Sequence, residues 1–469
     1  MNIAIPERIP AAAELGRVHF VGMGGAGMSG IARILLDRGF VVSGSDAKDS
    51  DTLLGLRALG ASTYIGHAPE NVDSADTVVV STAIRADNPE VRRAAALDLR
   101  MLPRAAALAA VMIGFRGIAV AGTHGKTTTT SMLTVALQHA GADPSFAIGG
   151  NLSESGTNAH DGTGEVFVAE ADESDGSFLA FQPEIAVVTN VEPDHLDTFG
   201  THERYMEAFD AFAARVQRVL VACADDPGAR ALAERHSRAG GSVRMFGQQA
   251  ATGVQVGAME HHDHGTRAQF TVDGGPSHII DLQLPGVHNA LNAAAALAAG
   301  TALGIDAEAL VRGLAAFTGT RRRFEARGTA AGVRVYDDYA HHPTEVAALL
   351  AAARALVGDG RLVVVFQPHL FSRTRIFASE FGAALSAADV VVVMDVFAAR
   401  EEPEPGVTGQ LIAQAIDLPA EQVYFEPSWS AVPALAAGLT RPGDVVLTVG
   451  AGDVTLIAPE LLRELVAQR

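Results

Sequence analysis

Lysine is scarce in this 469-residue chain, which carries a formal charge of −19 and only two lysines, Lys48 and Lys126. A phosphate backbone or an anionic bilayer is bound mainly by concentrated positive charge, so neither nucleic acid nor membrane is an expected partner. Cysteine is nearly absent too: Cys223 stands alone. An internal disulfide framework is thereby excluded, and a buried thiol in a reducing compartment is the expected role. No apolar run reaches the roughly 18 residues of a membrane helix, and no basic segment leads into an apolar one near Met1, so a cytoplasmic protein is expected. A monomer or homodimer is expected.

What the chain does contain is glycine turns at the ends of apolar runs. The most informative is Gly122-Thr123-His124-Gly125-Lys126-Thr127-Thr128, after the apolar run Gly117 to Ala121 and before a helical pattern. Strand, glycine turn and helix N-terminus form a phosphate cradle: main-chain N–H groups face an anion, the Lys126 ammonium reaches the terminal phosphates, and the Thr127 hydroxyl can ligate Mg²⁺. Val120 stands where the longer G-x-x-x-x-G-K-[ST] pattern has its first glycine, so the loop is a compressed form. Lysine kept here, in a chain that otherwise uses arginine, implies a specific task.

A second glycine turn lies near the start. Val18 to Val21 runs into Gly22, Gly24, Gly25, Ala26 and Gly27, and a later strand ends at Asp46. This is G-x-G-x-x-G with an acidic residue at the next strand end, a dinucleotide-type fingerprint that a nicotinamide-dependent dehydrogenase would also carry. Thr77 to Val80 opens onto Ser81, Thr82, Ala83 and Ile84, another polar strand end. An alanine-rich helical stretch from Asn88 to about Met112 is expected to close a first domain, residues 1–113.

In the second domain, 114–318, strand Val166 to Ala169 delivers Glu170, where a metal shared with phosphate needs a hard oxygen. The turn Asp172, Glu173, Asp175 reads as acidic surface. Ile185 to Asn190 opens onto Glu192, Asp194 and His195, an imidazole among carboxylates at a strand end. Alternating segments between Ser242 and Leu284 read as antiparallel strands, and His261-His262-Asp263-His264 as a solvated turn rather than a metal site. Asn289 and Asn292 share one helix face. A third domain, 319–469, begins after the basic Arg321-Arg322-Arg323 and alternates strands with helices again. Its strand ends carry Asp338, His341, His369, Arg373 and Arg375, groups suited to carboxylate or phosphate contacts.

In that order, GMGGAGMSGIA, SGSD, STAI, GTHGKTTTT, AEADESDGSF, TNVEPDHLD, HNALN, TGTRRRFE, DDYAHHPTE, QPHLFSRT and AAREEPEPGVTG span nearly the whole chain. Together they resemble the Mur ligases, amide-bond-forming enzymes, and within them the alanine-adding branch. The resemblance implies an α/β protein of three domains. The first is Rossmann-like; the second is P-loop ATPase-like, with a mostly parallel sheet and an added antiparallel sheet; the third is Rossmann-like again. It also implies ATP and Mg²⁺ as cofactors, with UDP-N-acetylmuramate and L-alanine as partners, in peptidoglycan precursor synthesis. By resemblance, Gly122 to Thr128 with Asn289, Asn292 and Arg323 hold ATP, and Thr127, Glu170 and His195 hold the metal. Gly22, Gly24, Gly25, Ala26, Gly27, Asp46 and Ser81 to Ile84 face the uridine nucleotide, while His369, Arg373 and Arg375 serve the third-domain side. Lys126, Glu170, His195, Arg323, Asp338 and His341 form the expected catalytic set. Several related Mur ligases use a carbamoylated lysine after the position matching His195. This chain has no lysine after Lys126, which fits the alanine-adding branch. A ligase of recycled tripeptide, a folate polyglutamate-type ligase and a nucleotide-sensing module without turnover are the other readings.

Overall fold

Short apolar runs buried on both faces, such as Val18–Val21, Ile185–Val188 and Leu362–Phe366, form central strands of the molecule's three sheets, because a parallel strand covered by helices needs apolar side chains on either side. The computed structural model describes residues 3–81, 83–194, 196–262, 265–399 and 401–467. Thr82 and His195 lie outside these described residues.

The first sheet is made of β1 (Val18–Val21), β2 (Val42–Asp46), β3 (Ser62–Ile65), β4 (Thr77–Val80) and β5 (Arg100–Pro103), in the order β3-β2-β1-β4-β5. All four pairings are parallel. The order reverses at β1, so the strand ends carrying Gly22, Asp46 and Ser81 open on one edge, where open α/β sheets bind ligands.

β5 corrects the sequence reading of one long helix from Asn88. The segment folds as helix Pro89–Ala96, strand β5 and helix Arg104–Met112. Asp98 adopts φ +53°, the left-handed conformation that ends the first helix, and Pro103 is incompatible with a helix interior.

The second sheet holds ten strands: β6 (Arg116–Ala121), β7 (Ser145–Ala147), β8 (Ala159–His160), β9 (Val166–Glu170), β10 (Ile185–Val188), β11 (Val219–Cys223), β12 (Val243–Gly247), β13 (Val254–His262), β14 (Gly265–Val272) and β15 (Ser277–Leu282). Their order is β15-β14-β13-β12-β11-β10-β6-β9-β7-β8. β6 is flanked by β10 and β9, both parallel to it, so the loop after β6 lies between the ends that carry Asn190 and Glu170.

The third sheet runs β16 (Glu325–Ala330), β17 (Val333–Asp338), β21 (Val445–Val449), β18 (Leu362–Phe366), β19 (Val390–Val393) and β20 (Val423–Phe425) across its width. Only β16 is antiparallel to its neighbour. Valines and leucines of these strands pack into two buried clusters, one on each face.

Two compact units divide the chain: Met1–Ala258 with Gln269–Ile280 and Leu291–Phe317, and Met259–Ala268 with Asp281–Ala290 and Thr318–Arg469. No described helix is long and apolar enough to cross a membrane.

Candidate active site

Strand β6 is fully buried beyond its first residue, and its rigidity positions the loop that follows. Gly122 takes φ +132°, and a Cβ there would sit 2.0 Å from Thr189 Oγ1 and 3.0 Å from Thr189 N. Only glycine fits so close to the end of β10. Gly122→Ala is therefore expected to cost about 3 kcal/mol or more, combining backbone strain with overlap against main chain. Urea unfolding measures it, and a loss under about 0.5 kcal/mol, the range of neutral surface changes, contradicts the account.

After Gly122 the loop is fixed by main-chain bonds. His124 N donates to Asn190 Oδ1 at 2.8 Å, and the His124 carbonyl accepts from Thr189 Oγ1 at 2.5 Å and Asn190 Nδ2 at 3.1 Å. Thr123 Oγ1 lies 2.9 Å from the buried Tyr205 hydroxyl and accepts from Glu192 N at 3.0 Å. The His124 ring sits 3.7 Å from the Glu192 carboxylate. Gly125, at φ +82°, precedes the first turn of helix Lys126–His139, and a Cβ there would lie 2.7 Å from Asn292 Oδ1. Asn292 is thus placed directly against the loop, where it also accepts from Thr129 Oγ1 at 3.1 Å. Thr127 and Thr128 are both buried.

The Lys126 ammonium folds back over the loop, donating to the Gly122 carbonyl at 2.7 Å and the Thr123 carbonyl at 3.1 Å, with Glu173 Oε2 at 2.8 Å. Burial opposes its charge, but Glu173, Asp172 and Glu170 outweigh that and hold its pKa above the ordinary lysine value. Glu173 itself is fully buried. The sequence reading of Glu173 as acidic surface is therefore corrected: the turn after β9 folds inward because a buried ammonium needs a counter-charge.

Glu170 accepts from Thr127 Oγ1 at 3.0 Å through one oxygen and from Gly149 N at 2.7 Å through the other. Hydroxyl and carboxylate oxygens this close, at the first turn of a helix, are the hard donor pair that Mg²⁺ prefers. His195, expected with them, lies outside the described residues.

On the first sheet, the described residues among those expected to face a nucleotide lie close together. Gly24 N donates to Asp46 Oδ2 at 2.9 Å. A Cβ at Gly22 would meet Ile84 Cδ1 at 3.4 Å and Ser81 Cβ at 3.7 Å. Ala83 N approaches Ser81 Oγ at 3.4 Å. Gly25 caps helix Ala26–Asp37, while the Ala26 carbonyl accepts from Asn158 Nδ2 at 2.7 Å. The Arg104 side chain lies across Gly27, where a Cβ would be 2.8 Å from its Nη1, and its guanidinium reaches Asp172 at 3.4 Å. Arg104 carried no signal in the sequence because the contact depends on two turns meeting across 68 residues.

The other unit holds the remaining candidates. Asp338 accepts from Phe324 N and Ala340 N, each at 2.7 Å. Burial pushes its pKa up to about 6 against the opposing pull of Arg323. The guanidinium carbons of Arg322 and Arg323 lie 4.8 and 5.2 Å from the centre of the Tyr339 ring. His341 Nδ1 is 3.1 Å from the Tyr339 carbonyl, and its ring meets that of His369 edge-on at 5.9 Å. Arg373 is buried, whereas Arg375 is about half exposed and paired with Glu404 at 3.0 Å. Asn289 donates to the Pro285 carbonyl at 2.7 Å. His262 pairs with Asp281 at 2.7 Å and His261 with Thr266 at 3.0 Å; Asp263 and His264 lie outside the described residues.

Known families and structures resemble this chain over most of its length. Residues 17–116 match the Mur ligase family, catalytic domain; 120–300 match the Mur ligase middle domain; and 322–452 match the Mur ligase, glutamate ligase domain. The UDP-N-acetylmuramate--L-alanine ligase of Saccharopolyspora erythraea is 58% identical over 466 residues, covering 98% of this chain and 95% of that protein. The protein of the same name from Thermobifida fusca is 53% identical over 476 residues, covering 99% and 100%. Among solved structures, UDP-N-acetylmuramate-alanine ligase MurC of Thermotoga maritima superimposes with a TM-score of 0.79 at 30% identity, covering 97% of this chain and 100% of that one. A murein peptide ligase from Psychrobacter arcticus shares the fold, with a TM-score of 0.68 at 23% identity over 96% and 99% of the two chains.

Proposed function

The chain belongs to the Mur ligase family, and on that premise we propose that it is an ATP-dependent ligase joining L-alanine to the muramyl carboxylate of UDP-N-acetylmuramate, a cytoplasmic step of peptidoglycan precursor synthesis. The observation that carries the reading is near-full-length identity of more than half to relatives named for that reaction. Nicotinamide-dependent hydride transfer would leave Lys126, Thr127 and Glu170 without a task.

In this reading residues 1–113 take the sugar nucleotide through Gly22 to Gly27, Asp46 and Ser81 to Ile84. Residues 114–318 take ATP through Gly122 to Thr128 and Asn292. Residues 319–469 serve the amino acid through His369, Arg373 and Arg375, with Asn289 and Arg323 assigned to ATP. Thr127 and Glu170, joined by Oγ1 and Oε1, fit a magnesium ion, with His195 as the third donor proposed from resemblance. When bound, Mg²⁺ supplies charge neutralisation on the phosphate oxygens.

A carboxylate is a poor acyl donor, so its oxygen first attacks the γ-phosphorus of ATP, giving an acyl phosphate and releasing ADP. The alanine amine then attacks the acyl carbon, and the tetrahedral intermediate expels inorganic phosphate to leave the amide. Lys126 and the N–H groups of the first turn of helix Lys126–His139 stabilise charge on the transferred phosphoryl group. The amine must lose a proton to react. Asp338, whose two oxygens accept from Phe324 N and Ala340 N, and His341 are the candidate bases.

The direct test is competition between L-alanine and the tripeptide, with phosphate release and product masses as readouts. L-alanine is the expected acceptor. Glycine, one methyl smaller, loses about 1–3 kcal/mol in kcat/KM, because a small apolar pocket discriminates weakly. A dominant tripeptide product overturns the acceptor assignment while leaving the phosphoryl chemistry in place.

A further inference from the structure

A buried polar cluster in the first sheet has no part in the chemistry above. Glu90 occupies the first turn of helix Pro89–Ala96, which Asn88 caps by accepting from Glu90 N at 2.9 Å. Its side chain is wholly shielded from solvent. The carboxylate accepts from Ser45 Oγ at 2.5 Å and Asn71 Nδ2 at 2.6 Å, and lies 3.4 Å from Ala68 N. Two imidazoles face it, His67 with Nδ1 at 3.1 Å and the buried His19 with Nε2 at 3.8 Å. Burial opposes ionisation, yet these partners, His19 and Ser45 foremost, hold the Glu90 pKa down at about 2. A buried carboxylate is stable only with such a full set of donors.

Ser45 is what the cluster fixes. Its carbonyl accepts from both Gly22 N and Met23 N at 2.9 Å, and the following residue, Asp46, accepts from Gly24 N at 2.9 Å. Three successive amides of the glycine turn therefore hang on the last two residues of β2. Ser45 is held from behind by Glu90, an element 45 residues away.

We propose that Glu90 is a positioning residue for the sugar-nucleotide site: through the Ser45 hydroxyl it fixes the end of β2, and with it the curvature of the Gly22–Gly27 turn. The inference rests on the functional reading above and adds a residue to it. Glu90 touches no substrate in this account.

Glu90→Ala would strand several buried donors and fold poorly, so the informative variants are Ser45→Ala and Glu90→Gln, with Ser43→Ala as control. Ser43 is two residues back on the same face of β2 and bonds the His19 ring at 2.9 Å, so it reaches the Glu90 carboxylate through that ring, one partner further from the turn than Ser45. Calorimetric binding of UDP-N-acetylmuramate and of ADP to the full chain is the measurement. Ser45→Ala is expected to weaken the sugar nucleotide about tenfold, the equivalent of one hydrogen bond to a charged group transmitted to the turn. ADP binding stays within about twofold, Glu90→Gln is milder because its carbonyl still accepts from Ser45, and Ser43→Ala binds both ligands as the wild type does. The proposal is overturned if Ser45→Ala binds UDP-N-acetylmuramate normally, if Ser43→Ala weakens it equally, or if ADP affinity falls in step. A wild type that binds no UDP-N-acetylmuramate overturns the functional reading as well.

Discussion

Lys126→Ala is expected to lower kcat by about a thousandfold or more while UDP-N-acetylmuramate binds with its wild-type affinity. The size follows from removing one preorganised charge at a developing phosphoryl transition state, which commonly costs several kcal/mol. The selectivity follows from structure. The glycine turn of the first sheet is held by Ser45 and Asp46, not by the loop after β6. A second consequence separates charge from chemistry. Lys126 pairs with the fully buried Glu173 at 2.8 Å, so alanine leaves a carboxylate without its cation and lowers stability by about 3 kcal/mol. The double variant Lys126→Met, Glu173→Gln removes both charges and is expected to regain most of that stability and none of the activity. Calorimetry, urea unfolding and a phosphate-release assay read the three quantities. Activity above about a tenth of wild type in Lys126→Ala sinks the assignment, since a loss of one order or less is under about 1.4 kcal/mol.

That Glu173 matters was not legible from its own neighbourhood. Asp172-Glu173-Ser174-Asp175-Gly176 has the composition of a solvated turn, and nothing local says that one carboxylate of the group points inward. The cue lay elsewhere, in a lysine retained at position 126 that needs an anion beside it. The same limit explains Asn292, whose amide meets Gly125 across more than 160 residues, and Arg104, which lies across Gly27 from a helix start. Glycine turns, by contrast, declare themselves locally. Gly22 and Gly122 each follow a short buried strand, and both prove to need their positive φ. Alternating strands and helices likewise revealed the α/β class and the parallel cores of the first and third sheets. Less visible were the edge strands. β16 and β20 are only partly buried, so their side chains lack the unbroken apolar pattern of the central strands. β5 was masked by its alanine-rich flanks, although Asp98 and Pro103 mark its ends.

Glu170→Gln should abolish most activity without disturbing the fold, and the reason is the geometry of its two oxygens. One accepts from Gly149 N at 2.7 Å and the other from Thr127 Oγ1 at 3.0 Å. A glutamine carbonyl can keep the Gly149 bond while its amide donates to the Thr127 hydroxyl, which serves as acceptor instead. The network survives and only the charge is lost. Mg²⁺ binds hard anionic oxygen, so the concentration of Mg²⁺ giving half-maximal activity is expected to rise by about 10–100-fold, as when a metal site loses a supporting interaction. Thr127→Ala keeps the carboxylate and should show a smaller shift in the same direction. His195→Ala should move it as well if the imidazole completes the set. Titrating Mg²⁺ at saturating ATP and UDP-N-acetylmuramate separates this from a loss of turnover alone: a ligand defect is relieved in part by excess metal, whereas a misplaced nucleotide is not. If the half-maximal Mg²⁺ concentration is the same in Glu170→Gln as in the wild type, the carboxylate at the end of β9 does not hold the metal, and its role reduces to fixing the Gly149 turn against the first turn of the phosphate-binding helix.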